Sequence, residues 1–150
     1  MKLTTFSGLQ SEIYVPITPK AVFTQATKDL KKMRIALVSA CGAHLKTDKR
    51  FNLAGDTSYR CIPNEANTSD LMISHGGYDN TDANKDINCM FPLDRLRELA
   101  QEGLIKSCAP VHYTFMGGGG DQEAFQHQTG PEIAKKLLEE QVDGVILTAG

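Results

Sequence analysis

The sequence predicts an α/β fold, a mostly parallel sheet with helices on both faces, incomplete at the C-terminus. Three observations predict it. Arg34-Ile35-Ala36-Leu37-Val38-Ser39 and Val145-Ile146-Leu147-Thr148 are apolar runs without alternation, as parallel strands covered on both faces are. Between them the order is helix, strand, helix, so the whole reads strand, helix, strand, helix, strand. Right-handed crossovers then put helices on both faces. The chain has 150 residues, 41% hydrophobic and 23% charged, which suits one domain with a single sizeable core over residues 1–150.

Residues 1–33 read as an extended arm, because Pro16 and Pro19 disfavour helix at themselves and before them, with a short helix predicted over Phe23–Lys32. After the strand at 34–39 comes a long loop, 41–57, with Gly42 and Gly55. Ser58–Ile62 is a second strand, stopped by Pro63. Pro92–Glu102 is a helix: proline suits the first turn, Leu93, Leu96 and Leu99 share a face, and Gly103 stops it. Ile105–Val111 follows as a strand. Thr129-Gly130-Pro131-Glu132 matches a capping box, with Ile133, Leu137 and Leu138 as the apolar face of the next helix. Val145–Thr148 is the last buried strand. The sequence stops at Thr148-Ala149-Gly150, directly after it, where a covering helix is expected and where parallel sheets gather ligand groups. A partner or a continuation of the chain is expected to supply that cover.

Composition excludes several classes. Lys+Arg is 16 against 18 Asp+Glu, a net charge of −2, without the basic surplus that phosphate backbones require, so no nucleic-acid partner is expected. No apolar run approaches the roughly 18 to 20 residues of a membrane span, and Met1–Pro16 has no signal-peptide core. Cys41, Cys61, Cys89 and Cys108 form no C-x-x-C pair, so a reducing cytoplasm is the expected compartment.

Several groups are candidates for chemistry. Ser74-His75-Gly76-Gly77-Tyr78-Asp79-Asn80, with Asp82 and Asp86, is the densest polar cluster. It suits a substrate- or partner-facing loop, with acid–base work by His75 and Asp79; as a metal site it matches no known spacing, and none is expected. A solvated loop capping its own backbone is the plain alternative. Gly117-Gly118-Gly119-Gly120 offers free amides after a strand and before a helix start expected at Asp121, but no Gly-Lys-Ser/Thr follows and Asp121 would repel a phosphate. Cys41 with His44 has the form of a thiol and its base, against the commoner small buried cysteine. His112 sits in or beside a strand and either enters a site or is a satisfied core histidine. Lys46, Lys49 and Arg50 near His44 suit a carboxylate or simply a solvated face. Candidate catalytic residues are therefore His44, His75, Asp79 and His112, and the candidate substrate or partner loops hold Gly76, Gly77, Asp86 and Gly117–Gly120.

Four stretches carry a resemblance: Arg50-Phe51-Asn52-Leu53-Ala54-Gly55-Asp56, Ser74-His75-Gly76-Gly77-Tyr78-Asp79, Asn84-Lys85-Asp86-Ile87-Asn88-Cys89-Met90-Phe91-Pro92 and Phe115-Met116-Gly117-Gly118-Gly119-Gly120-Asp121. With them the chain resembles, over essentially its whole length, the selenoprotein B subunits of the glycine, sarcosine, betaine and D-proline reductases. Gly8-Leu9-Gln10-Ser11-Glu12 and Leu147-Thr148-Ala149-Gly150 point to the D-proline branch. The resemblance implies an oxidoreductase subunit of amino-acid fermentation that opens the D-proline ring reductively to 5-aminovalerate with a dithiol as reductant. It implies a selenocysteine as nucleophile in a selenocysteine-x-x-Cys motif directly after Gly150, absent here because its UGA codon is read as a stop; the chain alone is then expected to be inactive. It implies a pyruvoyl group on a partner subunit, an electron-carrier protein, a small amino-acid substrate and an oligomeric assembly, with no cofactor in this chain. The alternatives are a glycine, sarcosine or betaine B-type subunit, a non-catalytic α/β interaction module, a thiol enzyme using Cys41 and His44, and a metal enzyme using His75.

Overall fold

A computed structural model describes residues 24–117 and 121–149, with the backbone of β1 (Thr5–Phe6) and β2 (Leu9–Gln10), which pair antiparallel. The rest of the predicted arm, 1–23, lies outside the described residues, as do Gly118–Gly120 and Gly150. Of the helix expected over Phe23–Lys32, the described part holds only one 3-10 turn, Leu30–Lys32.

The frame is β3 (Arg34–Ser39), whose apolar side chains are nearly all buried. On one edge it pairs in parallel with β9 (Gly144–Thr148) along five residues, from Ile35↔Gly144 to Ser39↔Thr148. On the other edge the strand expected at Ile105–Val111 is broken in two: β7 (Ser107–Cys108) and β8 (Val111–Phe115), both parallel to β3. Pro110 causes the break, since it has no N–H for the ladder. Ile35 pairs with Cys108 but Val38 with Tyr113, so three steps along β3 match five on its neighbour and two residues bulge out. The Leu37 amide, left without a backbone acceptor there, donates to Nδ1 of His112 at 3.0 Å. The Pro110 carbonyl turns outward and accepts from the Asn64 amide at 2.8 Å.

Beyond β8 lies β5 (Tyr59–Pro63), antiparallel to it, so the sheet is mixed. Its proline falls at the strand's end, where a missing N–H costs no ladder bond. β4 (Ala43–Leu45) and β6 (Leu71–Ile73) make a separate antiparallel pair beside it. Gly42 links β3 to β4 with φ +73°, its amide bonded to Phe115 O and its carbonyl to Ser74 N.

Helix α1 (Leu93–Gln101) forms as predicted, with Pro92 before it and Gly103 at φ +69° after it. Its Leu93 and Leu96 pack with Ile35 and Leu37. A half-buried polar network fixes its start: Arg97 bonds Asp94 at 2.8 Å and the Asn64 and Ala66 carbonyls, while Asp94 accepts from Thr68 and Asn88. The second helix starts at the Asp121 position expected after the glycine run and not at the capping box. Asp121 is the cap, its Oδ1 accepting from the Glu123 and Ala124 amides at 3.0 and 3.1 Å. The run continues through α2 (Gln122–Ala124), a π-turn (Phe125–Thr129) and α3 (Gly130–Glu139). Thr129 is already helical and makes no cap; its hydroxyl donates to the Thr57 carbonyl at 2.5 Å. The π-turn, closed by Gly130 N–H to Phe125 O, absorbs Pro131, which cannot donate inside a regular helix and would clash with the preceding turn. Ile133 of α3 packs with Val38 and Tyr113 in a cluster separate from that of α1.

The α/β class thus holds, with antiparallel partners that the sequence reading lacks. The last strand differs more. β9 is a sheet edge whose apolar side chains face solvent: Leu147 is 77% exposed, and Leu138 of α3 nearby 75%. An alternation-free apolar run does not distinguish a covered strand from an uncovered one.

A Cβ on Gly42 would lie 2.3 Å from the Ser74 carbonyl oxygen, in a left-handed conformation besides. Gly42→Ala is expected to lower the stability measured by urea unfolding by at least about 1–2 kcal/mol, the cost of that conformation alone.

Candidate functional site

At the carboxyl ends of the parallel strands, three chain segments converge on Ala40. Its amide donates to Thr148 O of β9 at 2.9 Å, and its carbonyl accepts from Gly117 N, past the end of β8, at 3.0 Å. Gly117 must be glycine, because a Cβ there would lie 2.9 Å from that of Ala40. Beside this junction opens a cavity of about 260 Å³, walled by Ala40, Gly117, Phe115, Phe125, Asp56 and Asp121 among others. The two phenylalanine rings lie 4.4 Å apart, tilted by 44°. Partial burial pushes the Asp56 carboxyl up, but hydrogen bonds from Ser58 and from the Asn52 and Ser58 amides, with Arg60 nearby, outweigh it and hold its pKa below the ordinary value. The carboxyl end of β9 is pinned from a further side: Thr148 Oγ1 donates to Met90 O at 2.8 Å, and Ser39 Oγ, its cross-strand neighbour, reaches the same carbonyl at 3.4 Å.

Of the predicted site residues, Gly117 lines this cavity, while Gly118–Gly120 lie outside the described residues. His44 is buried and satisfied: Nδ1–H donates to Leu45 O at 2.7 Å and Nε2 accepts from Ser74 Oγ at 2.9 Å. That leaves it no hydrogen bond to Cys41. The Cys41 thiol is buried, and burial pushes its pKa up, the opposite of an activated nucleophile. His112 is the core histidine of the bulge, with Nε2–H donating to Asn64 Oδ1 at 3.1 Å; burial, with Arg97 nearby, brings its pKa down to about 4. His75 stacks on Tyr78 with centroids 4.7 Å apart, and its Nδ1 accepts from Gly77 N at 3.0 Å; partial burial lowers its pKa. Asp79 is fully exposed and caps a turn through Thr81, which lowers its pKa. Asp86 caps the 3-10 turn Ile87–Cys89, and Gly76 lies against the Leu53 carbonyl. Among the described residues no hydrogen bond or ring contact joins the three histidines, and no three His, Cys, Asp or Glu side chains converge for a metal.

Asp56, Phe115 and Phe125 are the residues that sequence reasoning leaves out. Asp56 lies in the first resemblance stretch, but nothing local in the sequence ties it to Asp121.

Two expectations follow. His112 has an ordinary pKa of 6.5 when unfolded and about 4 when folded, so the unfolded chain binds the extra proton between these values. Stability should therefore fall as pH drops from 6.5 to 4, by at most about 3 kcal/mol from this group, and His112→Gln should flatten that slope in pH-dependent urea unfolding. Iodoacetamide should label exposed Cys61 and Cys89 in the native protein and buried Cys41 only on unfolding, as read by mass spectrometry of peptides.

Comparison with known proteins agrees with the resemblance. Residues 2–150 match the family described as glycine/sarcosine/betaine reductase selenoprotein B. The chain is 65% identical over 148 residues to D-proline reductase subunit gamma of Acetoanaerobium sticklandii, covering 99% of this chain and 61% of that relative. It is 31% identical to sarcosine reductase complex component B subunit beta of Peptoclostridium acidaminophilum, covering 93% of this chain and 33% of the relative. It is 32% identical to glycine reductase complex component B subunit gamma of Symbiobacterium thermophilum, covering 94% and 35%. No solved structure matches the chain. The chain thus spans about three fifths of the first relative's length and about a third of the other two. On the family match over nearly all its residues, the chain belongs to the glycine/sarcosine/betaine reductase selenoprotein B family.

Proposed function

We propose that this chain forms the N-terminal scaffold of the selenium-dependent subunit of a D-proline reductase. The observation that carries the reading is the step in identity: 65% to a D-proline reductase subunit against 31% and 32% to sarcosine and glycine reductase components. The reaction is reductive cleavage of the ring C–N bond at the α-carbon. Two electrons and two protons enter, D-proline becomes 5-aminovalerate, and a dithiol becomes a disulfide.

The chemistry needs a nucleophile that is ionised at neutral pH and leaves readily. In this reading a selenocysteine of the full-length subunit supplies it, and a neighbouring cysteine releases the product. A pyruvoyl group on a partner subunit would supply the electrophilic carbonyl for the ring nitrogen, and an electron carrier would return the reducing equivalents. Neither the selenocysteine nor the pyruvoyl group is among these 150 residues, so the chain alone is inactive in this reading. Its own contribution is positional. Ala40, Gly117 and Thr148 hold the carboxyl ends of three strands together at the cavity. The buried, neutral His112 serves the frame and moves no proton. The assembly is oligomeric and cytoplasmic; no described helix is long and apolar enough to cross a membrane.

The test is the complete subunit with selenocysteine incorporated, assembled with its pyruvoyl partner and supplied with a dithiol. D-proline should yield 5-aminovalerate, and glycine, sarcosine and betaine should yield no product. Turnover of one of those three instead of D-proline would move the chain to another branch, and no turnover of any would favour an interaction module.

A further inference from the structure

We infer that the open edge of β9, with the groove between β9 and α3, is the docking surface for the rest of the same subunit. That part adds a parallel strand beside β9 and lays the helix leading to it alongside α3. The inference rests on the D-proline reading, in which this chain is the N-terminal scaffold of a longer subunit. About two fifths of the length of the D-proline reductase relative lies outside the match, ample for one helix and one strand.

The backbone shows that the edge is built for a neighbour. Among the described residues β9 pairs only with β3. Thr148 O accepts from Ala40 N–H, so Thr148, and Ile146 two residues before it, turn their backbone groups toward β3. The N–H and C=O groups of Val145 and Leu147 then face the open side. An edge that stays open is normally blunted by charge, proline or a bulge. β5, at the far side of the sheet, carries Arg60 and Pro63. β9 reads Gly-Val-Ile-Leu-Thr, with none of the three, and matches β3 residue for residue. It has the character of an interior strand.

The side chains and the topology fix the face. Val145 and Leu147 point to the side that carries α3, where they line an apolar groove with Ala134, Leu137 and Leu138. Leu138, Val145 and Leu147 are all exposed. α3 joins β8 to β9, parallel strands on either side of β3, and such crossovers are right-handed. A further right-handed step in the same direction puts its helix on the face of α3. The spacing agrees. Ile133 seats α3 over Val38 of β3 and Tyr113 of β8. A helix over β9 and the next strand lies two strand spacings further on, about 10 Å at roughly 4.8 Å each. Packed helices lie about 8–10 Å apart.

Other occupants fit less well. Two copies of β9 would pair antiparallel about Ile146 and put both α3 helices on one face. The helix axes would then lie four strand spacings apart, roughly 19 Å, with the trough between them unfilled. A polar ligand finds no free charge at the amino end of the groove, where Lys28 and Asp143 already pair at 2.5 Å.

The test is amide-resolved hydrogen exchange on the complete subunit alone, without its partners. Ile146, bonded to β3, is the internal reference. The Val145 and Leu147 amides should exchange as slowly as that of Ile146, at least about a hundredfold slower than open amides. Leu147→Ser should lower the urea midpoint of the complete subunit, whereas Leu53→Ser, at an exposed leucine outside the groove, should leave it unchanged. Fast exchange at Val145 and Leu147 would overturn the inference, as would equal effects of the two substitutions. Protection that fades on dilution assigns the edge to a second copy, and protection that requires the pyruvoyl partner assigns it to that subunit; either result also overturns it. Failure here is separable from failure of the D-proline reading. D-proline turnover by the assembled enzyme with these amides open sinks only the inference, and protected amides without D-proline turnover sink only the reading.

Discussion

The hydrogen bond from the Leu37 amide to the His112 imidazole is the constraint on which the rest of the architecture depends. β3 is buried and needs a partner for every backbone group, because an unpaired buried amide costs about as much as a lost hydrogen bond. Pro110 interrupts the neighbouring strand where Leu37 requires an acceptor, and the two-residue bulge carries the backbone away. The neutral imidazole restores the acceptor from a side chain. β8 can then resume two residues out of step and still meet β3 at Val38 and Ser39. That offset sets how far β8 runs, and so where Phe115, Met116 and Gly117 leave the sheet to form the cavity wall.

The same economy governs the opposite edge. β9 matches β3 residue for residue and is tied at its end to both Ala40 and Met90. Its position is thus well determined by hydrogen bonds even though its apolar side chains find little cover. Order at this edge comes from the ladder and two hydroxyl groups, Ser39 and Thr148, sharing one carbonyl. Burial, which holds the rest of the sheet, contributes less here.

Much of the frame is legible in the sequence because it depends on near neighbours. β3, α1 with its flanking proline and glycine, and β9 all follow from runs or spacings within a dozen residues. The errors come where a distant residue competes. Thr129 has the right neighbours for a cap, but the Thr57 carbonyl takes its hydroxyl and Asp121 has already started the helix. Ile105–Val111 reads as one strand because the effect of Pro110 depends on what β3 offers opposite it. The histidines stand out in the sequence for their chemistry, yet His44 and His112 are consumed by the hydrogen bonds of the fold. The cavity is half legible: the glycine run marks Gly117 in the sequence, whereas Asp56 reaches the same wall only through the tertiary path of the long loop.

The π-turn has a consequence for how this family can vary. A wide turn holds one residue more than a regular one, and each residue of an α-helix advances the surface by roughly 100°. Ile133 is seated in the sheet cluster below the turn, while Asp121 and Phe125 face the cavity above it. Loss of a single residue between 125 and 130 would swing the upper half around the axis and leave the lower half in place. Cavity-facing geometry and domain stability can therefore be altered separately, through the length of one segment and with no change to either set of contact residues.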